Sequence, residues 1–515
     1  MKVVLTADRA LMSDYNGTNY MGFVSALPSN LIEKYAEWVF FPTRSDKDGR
    51  ALVANYSIAK IEAALLKAGF SRDEVVLADP TKLDKVVKED TRVLGITTMD
   101  PLGLGYGSGI VYIAMMLFGF NPQGISYMSK KFLDVINHPS VKKHKPKIII
   151  GGQAAWQIVD TNMQEQLGID TVVIGEGEKV APDLFRMAIE GKDLPRVVNG
   201  PPVDASEIPP IVTPSIGGMV EISRGCGRGC RYCSLALLRP RSIPIETILA
   251  EAELNLSHGA NGIGLHSEDF LMYGSKNFLP EGDKVLWLFE NVEKVTKKYG
   301  ATLGTDFVTA ANTMVVPKVV ERVGRDYVNV GGSRSFIEMG IETGSPRLMK
   351  IIMPGKALPF KVEEYPEIVR QAIGVLNDAG WTVVGTLITR LPGETEDDVI
   401  KTIELLDKIK DLNVVTFVLP FIPIGQLRGS GFVVLEEILE DDLRRELFVT
   451  GLIKAIRQIR SDIKLISKGI TGSVFAKIAL SFAVWYMLRR LRKFEGIDHR
   501  RLQQQKTEAR ENALM

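Results

Sequence analysis

The first 200 residues alternate short apolar runs with stretches in which apolar residues recur every three or four positions. The apolar runs are rich in β-branched residues, which is typical of strands in a parallel sheet covered on both faces. Helical periodicity lies between them, for instance over 58–68 and 157–167. The predicted strands cover residues 3–6, 75–78, 93–97, 147–150 and 171–174. This rhythm predicts a doubly wound, Rossmann-like α/β domain over residues 1–200, whose ligands would bind beyond the carboxyl ends of the strands.

Glycine-rich loops follow three of these predicted strands. Glycine lets a backbone approach a large ligand closely, although tight left-handed turns use the same residue. Because the carboxyl ends of parallel strands meet at one edge of a sheet, we expect the three loops to lie together. The candidate binding residues in these loops are Thr98, Gly103, Gly105, Gly151, Gly152, Gly175, Glu176 and Gly177.

A second α/β pattern follows a Pro-rich segment, 201–216, which indicates a linker. The predicted strands of this second pattern lie near 219–223, 262–267, 302–308, 335–341, 382–388 and 413–420. The predicted helices lie near 245–257, 283–298, 316–323, 364–379 and 395–409. Right-handed crossovers would close residues 217–425 into a partial (β/α)6, TIM-like barrel with its chemistry on the loops after the strands.

The repeats stop near residue 425, and a C-terminal helical region is predicted over 426–515. It contains an amphipathic pattern over 441–468 and an apolar stretch over 469–488 that only Lys477 interrupts. Six Lys or Arg follow in 489–501. A central lysine disfavours a membrane span, so 469–488 is either an in-plane helix at a membrane interface or a helix packed against the barrel.

Composition narrows the function class. The chain has 515 residues, 45% hydrophobic and 24% charged, which is typical of a folded protein, and its formal net charge of +1 gives no global signature of nucleic-acid binding. The first residues are charged too early for a signal peptide. We therefore expect a cytoplasmic protein, with peripheral attachment to the inner face of the membrane if 469–488 is interfacial.

All three cysteines lie within eight residues, as Cys226, Cys230 and Cys233. Three soft thiolates at this spacing can hold one iron–sulfur cluster, and the glycines between them let a short loop wrap it. A structural zinc site would need a fourth Cys or His ligand nearby, and a disulfide framework would need an even number of cysteines. The remaining alternative is three unrelated buried cysteines.

This C-x-x-x-C-x-x-C motif, with the aromatic Tyr232 before its last cysteine, resembles the signature of radical S-adenosylmethionine (SAM) enzymes. The resemblance implies a 4Fe–4S cluster whose open iron binds SAM, reductive cleavage to a 5′-deoxyadenosyl radical, and a cofactor contact by Tyr232. It also implies an electron donor such as ferredoxin or flavodoxin.

The order of the domains resembles radical SAM enzymes that begin with a cobalamin-binding domain, so cobalamin is implied as a third cofactor. The Asp-x-His-x-x-Gly motif that supplies an axial histidine in one branch of that family is absent here. Cobalamin would therefore bind without a histidine ligand, unless the domain has lost the cofactor.

Acidic and hydroxyl side chains follow the second and fourth predicted barrel strands. By resemblance, Ser267, Glu268, Asp269, Glu338, Glu342 and Ser345 would contact the methionyl group, amine or ribose of SAM. The alternative for each is a solvated loop residue. His266 is a candidate catalytic proton donor or substrate contact, or else a partly buried ring at a strand end. Thr395 and Asp398 read as the cap of the following helix.

Three functions stay open. The first is a radical SAM enzyme that functionalises an unactivated C–H bond of a hydrophobic, membrane-associated substrate, as in carbon–carbon bond or ring formation in isoprenoid lipid, since the domain order and tail are similar to archaeal tetraether-lipid ring-forming enzymes. The second is a cobalamin-dependent radical SAM methyltransferase acting on a small metabolite or a protein. The third is a non-catalytic cluster or cobalamin sensor.

Overall fold

The computed structural model describes residues 1–15, 19–35, 37–120, 122, 124–462 and 484–491. The first six strands form one sheet in the order β2-β1-β3-β4-β5-β6, with every neighbouring pair parallel. These strands are β1 Val3–Ala7, β2 Val75–Leu77, β3 Val93–Thr97, β4 Lys147–Gly151, β5 Thr171–Gly175 and β6 Val197–Gly200.

Helices cover both faces of this sheet, because alternate strand residues point to opposite faces. Val3 and Leu5 belong to one apolar cluster and Val4 to another on the opposite face. The predicted doubly wound domain is therefore confirmed. Its helices are α1 Ser29–Tyr35, α2 Glu37–Phe40, α3 Tyr56–Lys67, α4 Leu83–Val86, α5 Tyr106–Leu117, α6 Tyr127–Ile136, α7 Pro139–His144, α8 Trp156–Asp160 and α9 Ala181–Ile189.

Two details of this domain differ from the prediction. The helix predicted over 157–167 ends at Asp160, and Asn162 takes a left-handed φ of 57° that a helix cannot continue through. Strand β6 was not predicted, because it is a short edge strand whose residues alternate between exposed and half-buried.

In its described residues the second half contains eight strands, six of which form the barrel. Two parallel three-stranded sheets, β11-β10-β7 and β12-β13-β14, are joined by a bridge between Phe307 and Glu338. The predicted partial (β/α)6 barrel is confirmed. The strands are β7 Met219–Glu221, β8 Ser223–Arg224, β9 Arg241–Ser242, β10 Gly262–His266, β11 Thr302–Thr305, β12 Ser335–Glu342, β13 Trp381–Thr389 and β14 Val414–Pro420.

Helices surround the barrel and continue beyond it. Those that follow strands include α10, α11, α15 and α16, whose amphipathic faces pack on the barrel core. The helices are α10 Ile245–Ser257, α11 Gly282–Tyr299, α12 Ala310–Val315, α13 Pro317–Arg322, α14 Pro346–Ile352, α15 Tyr365–Asp378, α16 Glu396–Lys408, α17 Leu435–Glu440 and α18 Asp442–Ser461.

The Pro-rich segment that joins the two halves is packed, not free. Val203, Ile208 and Ile211 in it are all buried. Lys60 of α3 and Glu251 of α10 form a buried salt bridge of 2.6 Å beside it. The segment read as a linker therefore belongs to the contact between the domains.

Part of the C-terminal region is described. The helix predicted over 441–468 is α18, which ends at Ser461, and residues 463–483 lie outside the described residues. Of the apolar stretch 469–488, only 484–488 is described, as the start of a helical segment that runs to 491 and buries Val484 and Leu491. Arg490 Nε donates to the carbonyl of Phe118 at the end of α5, 3.0 Å away. In the described part of the chain, no helix combines the length and apolar character that crossing a bilayer requires.

Candidate active site

The three cysteines lie on a loop that follows β8. Cys230 is buried, Cys226 and Cys233 are half-buried, and none forms a disulfide. Gly225 opens the loop with a φ of 86°, and a Cβ there would lie 2.7 Å or less from two carbonyl oxygens. Only glycine allows this close turn.

Arg228 fixes the shape of the cysteine loop. Its guanidinium donates to the carbonyls of Gly355, Lys356 and Leu358 at 3.0–3.1 Å. It also donates to Asn312 Oδ1 at 2.7 Å. A buried guanidinium with this many partners holds the loop against α12 and against the loop after α14.

The donor type of the three side chains fits a cluster site, since Cys sulfurs hold iron–sulfur clusters, although burial without the cluster favours the neutral thiols. Burial raises the pKa of Cys226 to about 11 and raises the pKa of Cys230 and Cys233. Among the described residues, no three Cys, His, Asp or Glu side chains converge on a single metal ion. In a cubane each cysteine binds a different iron, so its three sulfurs do not share one ion.

Buried polar atoms without partners surround the mouth of the barrel. Each belongs to a residue at, or just after, the carboxyl end of a barrel strand, as the fold places ligand-binding groups. Among the described residues, these atoms are Glu221 Oε2, Ser267 Oγ, Glu268 Oε2, Asp306 Oδ1, Glu342 Oε2 and Arg390 Nε. Four are carboxylate oxygens, so this site suits a ligand that carries positive charge and N–H or O–H donors, as SAM does.

A register shift in β12 aims Glu342 into the mouth. The pairing with β13 slips between Gly340 and Glu342, and Glu342 takes a φ of 69°, which is rare outside glycine. Its Oε1 accepts from Lys356 Nζ at 3.0 Å. Burial of Lys356 opposes its charge, but Glu342 outweighs this and raises the pKa of the ammonium.

The three consecutive candidates after β10 have different surroundings. Ser267 and Glu268 keep unpartnered atoms, and burial raises the pKa of Glu268. Asp269 accepts from Thr309 Oγ1 at 2.6 Å, from Asn312 Nδ2 at 2.7 Å and from the Leu271 N–H at 3.1 Å. Asp269 therefore holds α12 in place, and its predicted contact with SAM stays a prediction.

His266 is part of an acidic cluster across β10, β11 and β12. Its Nδ1 is hydrogen-bonded to Asp306 Oδ2. Burial lowers the pKa of His266, but Asp306 outweighs burial and raises that pKa to about 9. Glu338 keeps an exposed face, yet desolvation and the charge of Asp306 raise its pKa to about 7.

The hydroxyl of Ser345 is hydrogen-bonded to other protein groups. It is fully buried, accepts from the Leu348 N–H as the cap of α14, and donates to Asp398. Asp398 and Thr395 form the capping box of α16 predicted from the sequence. The predicted contact of Ser345 with the ribose of SAM stays a prediction, although its hydroxyl already has partners.

The glycine loops of the first domain meet at the carboxyl edge of its sheet, as predicted. A Cβ on Gly152 would lie 2.5 Å from the Thr98 carbonyl oxygen, and one on Gly175 would lie 2.4 Å from that of Gly200. Gly177 would meet Ile61, and the Gly105 N–H donates to Asp100. Neighbouring protein atoms therefore explain these four glycines, whereas Gly103 and Gly151 have room for ordinary contacts.

Glu176 joins the two domains instead of standing free at the sheet edge. It accepts from Arg224 of β8 at 3.1 Å and from Arg241 of β9 at 2.5 Å, and from the Val203 N–H at 2.8 Å. Burial raises the pKa of Glu176, but Arg241, the Val203 N–H and Arg224 together outweigh burial and lower that pKa. The residue predicted to bind a cofactor anchors the strand that leads into the cysteine loop.

Tyr106 connects the first domain to the cysteine loop. It begins α5, and burial, with the charges of Glu342 and Cys233, raises the pKa of its hydroxyl. Tyr232, predicted to contact the cofactor, is buried beside Glu342, Cys230 and Tyr106. In α5 a Cβ on Gly109 would lie 2.7 Å from Pro420 at the end of β14, so the carboxyl edge of the sheet and the mouth of the barrel face the same space.

Several residues of the site were not found from the sequence. They are Tyr106, Glu221, Asp306, Lys356 and Arg390. Asp306 and Arg390 come directly after barrel strands, and this position in the sequence could have identified them as candidate site residues. Tyr106 and Lys356 reach the site only through the packing of distant segments.

Comparison with known proteins agrees with this geometry. Residues 220–406 match the family model of the Radical SAM superfamily. The tRNA-2-methylthio-N(6)-dimethylallyladenosine synthase of Paracidovorax citrulli is 23% identical over 350 residues, 67% of this chain and 73% of that protein. The enzyme of the same name from Flavobacterium johnsoniae is 25% identical over 286 residues, 53% of this chain and 57% of its own length.

A solved structure shares the fold of both domains. The radical SAM methyltransferase TsrM of Kitasatospora setae, solved with cobalamin and a [4Fe-4S] cluster bound, has a TM-score of 0.53 and 14% identity. The match covers 85% of this chain and 79% of that one. The same protein with tryptophan substrate and a SAM analogue bound has a TM-score of 0.52.

The family implies a 4Fe–4S cluster and SAM as cofactors, and the cysteine loop and the unpartnered atoms around it fit both. Residues 220–406 are therefore a domain of the Radical SAM superfamily, and the α/β domain before them has the fold seen in the cobalamin-bound structure.

Proposed function

We propose that this protein is a cobalamin-dependent radical SAM enzyme that transfers a methyl group to a carbon of its substrate. The observation that carries the proposal is the packing of α5, which follows the carboxyl edge of the first sheet, on the carboxyl end of barrel strand β14, where a Cβ on Gly109 would lie 2.7 Å from Pro420. A reaction that needs two cofactors and a substrate requires them at one place.

In this proposal the chain's own residues hold and orient SAM. Cys226, Cys230 and Cys233 bind the cluster, and Ser267, Glu268 and Glu342 offer the unpartnered oxygens to the ligand. When bound and reduced, the cluster with SAM supplies a 5′-deoxyadenosyl radical. An electron donor such as ferredoxin or flavodoxin is proposed as the partner that reduces it.

Cobalamin would lie on the carboxyl edge of the first sheet. Gly103 and Gly151 leave space there, and parallel sheets of this kind bind ligands at that edge. Among the described histidines, His138 and His144 flank α7, and none follows a strand of this sheet. Cobalamin would then be held without a histidine ligand.

Two other functions are distinguished from this one by their products. Carbon–carbon bond or ring formation in a hydrophobic, membrane-associated isoprenoid lipid would release 5′-deoxyadenosine without S-adenosylhomocysteine. The apolar stretch that motivates it, 469–488, is described only from residue 484. A cluster or cobalamin sensor would release neither product. The lipid reaction would also involve peripheral attachment of the protein to the inner face of a membrane.

The test is to reconstitute the protein anaerobically, load it with cobalamin, reduce it and supply SAM. Methyl transfer predicts that S-adenosylhomocysteine and 5′-deoxyadenosine both form. Formation of 5′-deoxyadenosine alone would exclude methyl transfer by this route, and formation of neither product would favour the sensor.

A variant with Cys226→Ala, Cys230→Ala and Cys233→Ala is the matched control. This variant should lack the brown colour of an iron–sulfur cluster and form no 5′-deoxyadenosine, while its first domain still retains cobalamin. If that variant cleaves SAM, the cluster assignment is wrong.

A further inference from the structure

A cavity of about 310 Å³ opens beside the carboxyl ends of β13 and β14. Its walls come from the loops after these strands and from the segment that leads into α17. The residues that matter for its chemistry are Arg390, Phe421, Phe432, Val433, Val434 and Glu437. This volume is at the lower end of the range for small-molecule sites.

The cavity is close to the cysteine loop. Phe421 N–H donates to the Thr389 carbonyl at 2.9 Å, so its wall begins where β13 and β14 end. The turn at Gly425 then packs on the cysteine loop, since a Cβ there would lie 2.8 Å from the Cys233 carbonyl oxygen. The cavity therefore lies beside the space in which the proposed reaction would occur.

The apolar wall is exposed and reaches the first domain. Phe432 is 44% exposed and Val434 is 51% exposed. Phe432 stacks on Trp156 of α8, with ring centroids 6.2 Å apart, and α8 follows strand β4. An apolar surface left open at the junction of two domains is a common feature of ligand sites.

Arg390 is the cationic residue of the cavity, and it is only partly paired. Its Nη2 donates to the Glu437 carbonyl at 3.0 Å, and the Glu437 carboxylate lies 3.7 Å away with a side chain that is 53% exposed. Its Nε is buried without a partner among the described residues. Arg390 also has a left-handed φ of 65°, a strained conformation that is concentrated at functional sites.

We infer that this cavity binds the substrate, and that the substrate joins an apolar body to an anionic group that Arg390 holds. The inference rests on the proposed function for the identity of the reaction. A guanidinium with a free N–H recognises the oxygens of a carboxylate or a phosphate, and both groups satisfy this chemistry.

Charge separates the two ligands at the mouth. Glu221, Glu268, Asp306 and Glu342 make the cluster side of the mouth acidic, which suits the cationic SAM. Arg390 follows β13, whereas Glu221, Glu268 and Asp306 lie at the ends of β7, β10 and β11; of the four carboxylates, only Glu342 is on a strand next to β13. An anion is therefore directed to the cavity and away from the SAM site.

The test measures binding by Trp156 fluorescence in the full reconstituted chain. The probes are octanoate, octyl phosphate, octan-1-ol and octylammonium, which share an apolar chain and differ in charge. We expect both anions to bind about tenfold or more tightly than the alcohol and the ammonium, as a charged hydrogen bond gives. The tighter of the two anions then identifies the acidic group.

Variants identify the residues that produce this preference. Arg390→Gln should remove the tenfold preference for the anions and leave octan-1-ol binding unchanged. Val434→Asp, at an exposed helix-cap position that accepts Asp, should also weaken anion binding without unfolding the chain. Arg370→Gln, on the surface of α15, is the matched control and should bind as the unmodified protein does. Trp156→Phe should remove the ligand-dependent change in fluorescence and leave the emission of the other four tryptophans.

Three results would overturn the inference. They are equal binding of the alcohol and the anions, an anion preference that survives both Arg390→Gln and Val434→Asp, and no saturable change in fluorescence. Failure of the proposed function would instead appear as absence of S-adenosylhomocysteine, which these binding measurements do not involve.

Discussion

At the scale of single residues, the barrel mouth keeps polar atoms that folding alone leaves unsatisfied. A buried acceptor or donor without a partner costs about 1–3 kcal/mol, so a folded chain retains few of them. Ser267, Glu268 and Glu342 carry such atoms within one mouth, and Glu342 adds a strained φ of 69°. A ligand that hydrogen-bonds to these atoms would remove the free-energy cost of leaving them unpaired. The polar atoms of the mouth therefore favour ligand binding.

Two serines that the sequence treats alike should respond differently to alanine substitution. Ser267→Ala removes an unpartnered buried hydroxyl, so the free energy of unfolding should be unchanged or rise by up to about 1 kcal/mol. SAM affinity should fall roughly 2- to 10-fold, the value of a neutral hydrogen bond. Equilibrium dialysis with SAM and denaturant titration measure the two effects.

Ser345→Ala is the comparison for Ser267→Ala. It removes the cap of α14 and a hydrogen bond to Asp398, so the free energy of unfolding should fall by about 1–2 kcal/mol. SAM affinity should change less than in Ser267→Ala. If Ser345→Ala weakens SAM binding without loss of stability, Ser345 contacts SAM as the sequence predicts.

His266 should stay protonated at neutral pH. Asp306 raises its pKa to about 9 from an ordinary value of 6.5, and Glu221 and Glu268 act in the same direction. Because the folded state binds this proton more tightly, the stabilisation is complete below about pH 6.5 and is lost as pH rises through about 9. NMR of the imidazole, assigned with His266→Gln, gives the midpoint.

Asp306→Asn tests the cause of that shift. Without the carboxylate, burial remains and the midpoint of His266 should fall to 6.5 or below. Asp283→Asn, at an exposed position in the first turn of α11, is the control and should leave the midpoint near 9. An unchanged midpoint in Asp306→Asn would show that another group holds the proton.

At the scale of elements, the sequence predicts what local pattern decides. Apolar runs specify β1 to β5, which are buried along most of their length, and six strand–helix repeats specify the barrel. Local pattern does not reveal which neighbour a side chain meets. Asp269 bonds to Thr309 and Asn312, some 40 residues away, while the adjacent Ser267 stays unpartnered. The sequence therefore predicts candidate residues at the strand ends, and the separate contacts of each required the structure.

Glycine at the end of β5 allows the backbones of β5 and β6 to lie close together. Gly175 has a φ of 97°, and a Cβ would lie 2.4 Å from the carbonyl oxygen of Gly200 in β6. Gly175→Ala should lower the free energy of unfolding by about 1–3 kcal/mol because it strains the backbone and separates the two strands. Thermal or denaturant unfolding measures this change.

Gly374→Ala is the matched control for Gly175→Ala. Gly374 lies inside α15, and a Cβ there would have no heavy atom of another element within 4 Å. The substitution should raise the free energy of unfolding by up to about 1 kcal/mol, since alanine favours helix. Equal effects of the two substitutions would contradict the role given to Gly175.

At the scale of the whole molecule, buried charged contacts lock the two domains together. Glu251 of α10 accepts from Lys60 Nζ at 2.6 Å, from Tyr56 Oη at 2.7 Å and from the Ile211 N–H at 3.0 Å. Arg224 bonds to Glu176, Glu178 and Glu221 around the entry to the cysteine loop. The position of the first sheet over the barrel mouth, on which the proposed reaction depends, is therefore held by groups that are costly to separate.

The Lys60–Glu251 pair allows a test of this coupling between the domains. Glu251→Gln or Lys60→Met leaves one buried charge unpaired, which should lower the free energy of unfolding by about 3–5 kcal/mol. The double variant Lys60→Met/Glu251→Leu leaves no unpaired charge and should recover part of that loss, since Tyr56 Oη and the Ile211 N–H still lose their acceptor. Denaturant titrations that follow each domain separately measure these changes in the free energy of unfolding. If the domains are locked by this contact, each single variant also splits one unfolding transition into two, and a single transition of unchanged midpoint would place the coupling elsewhere in the interface.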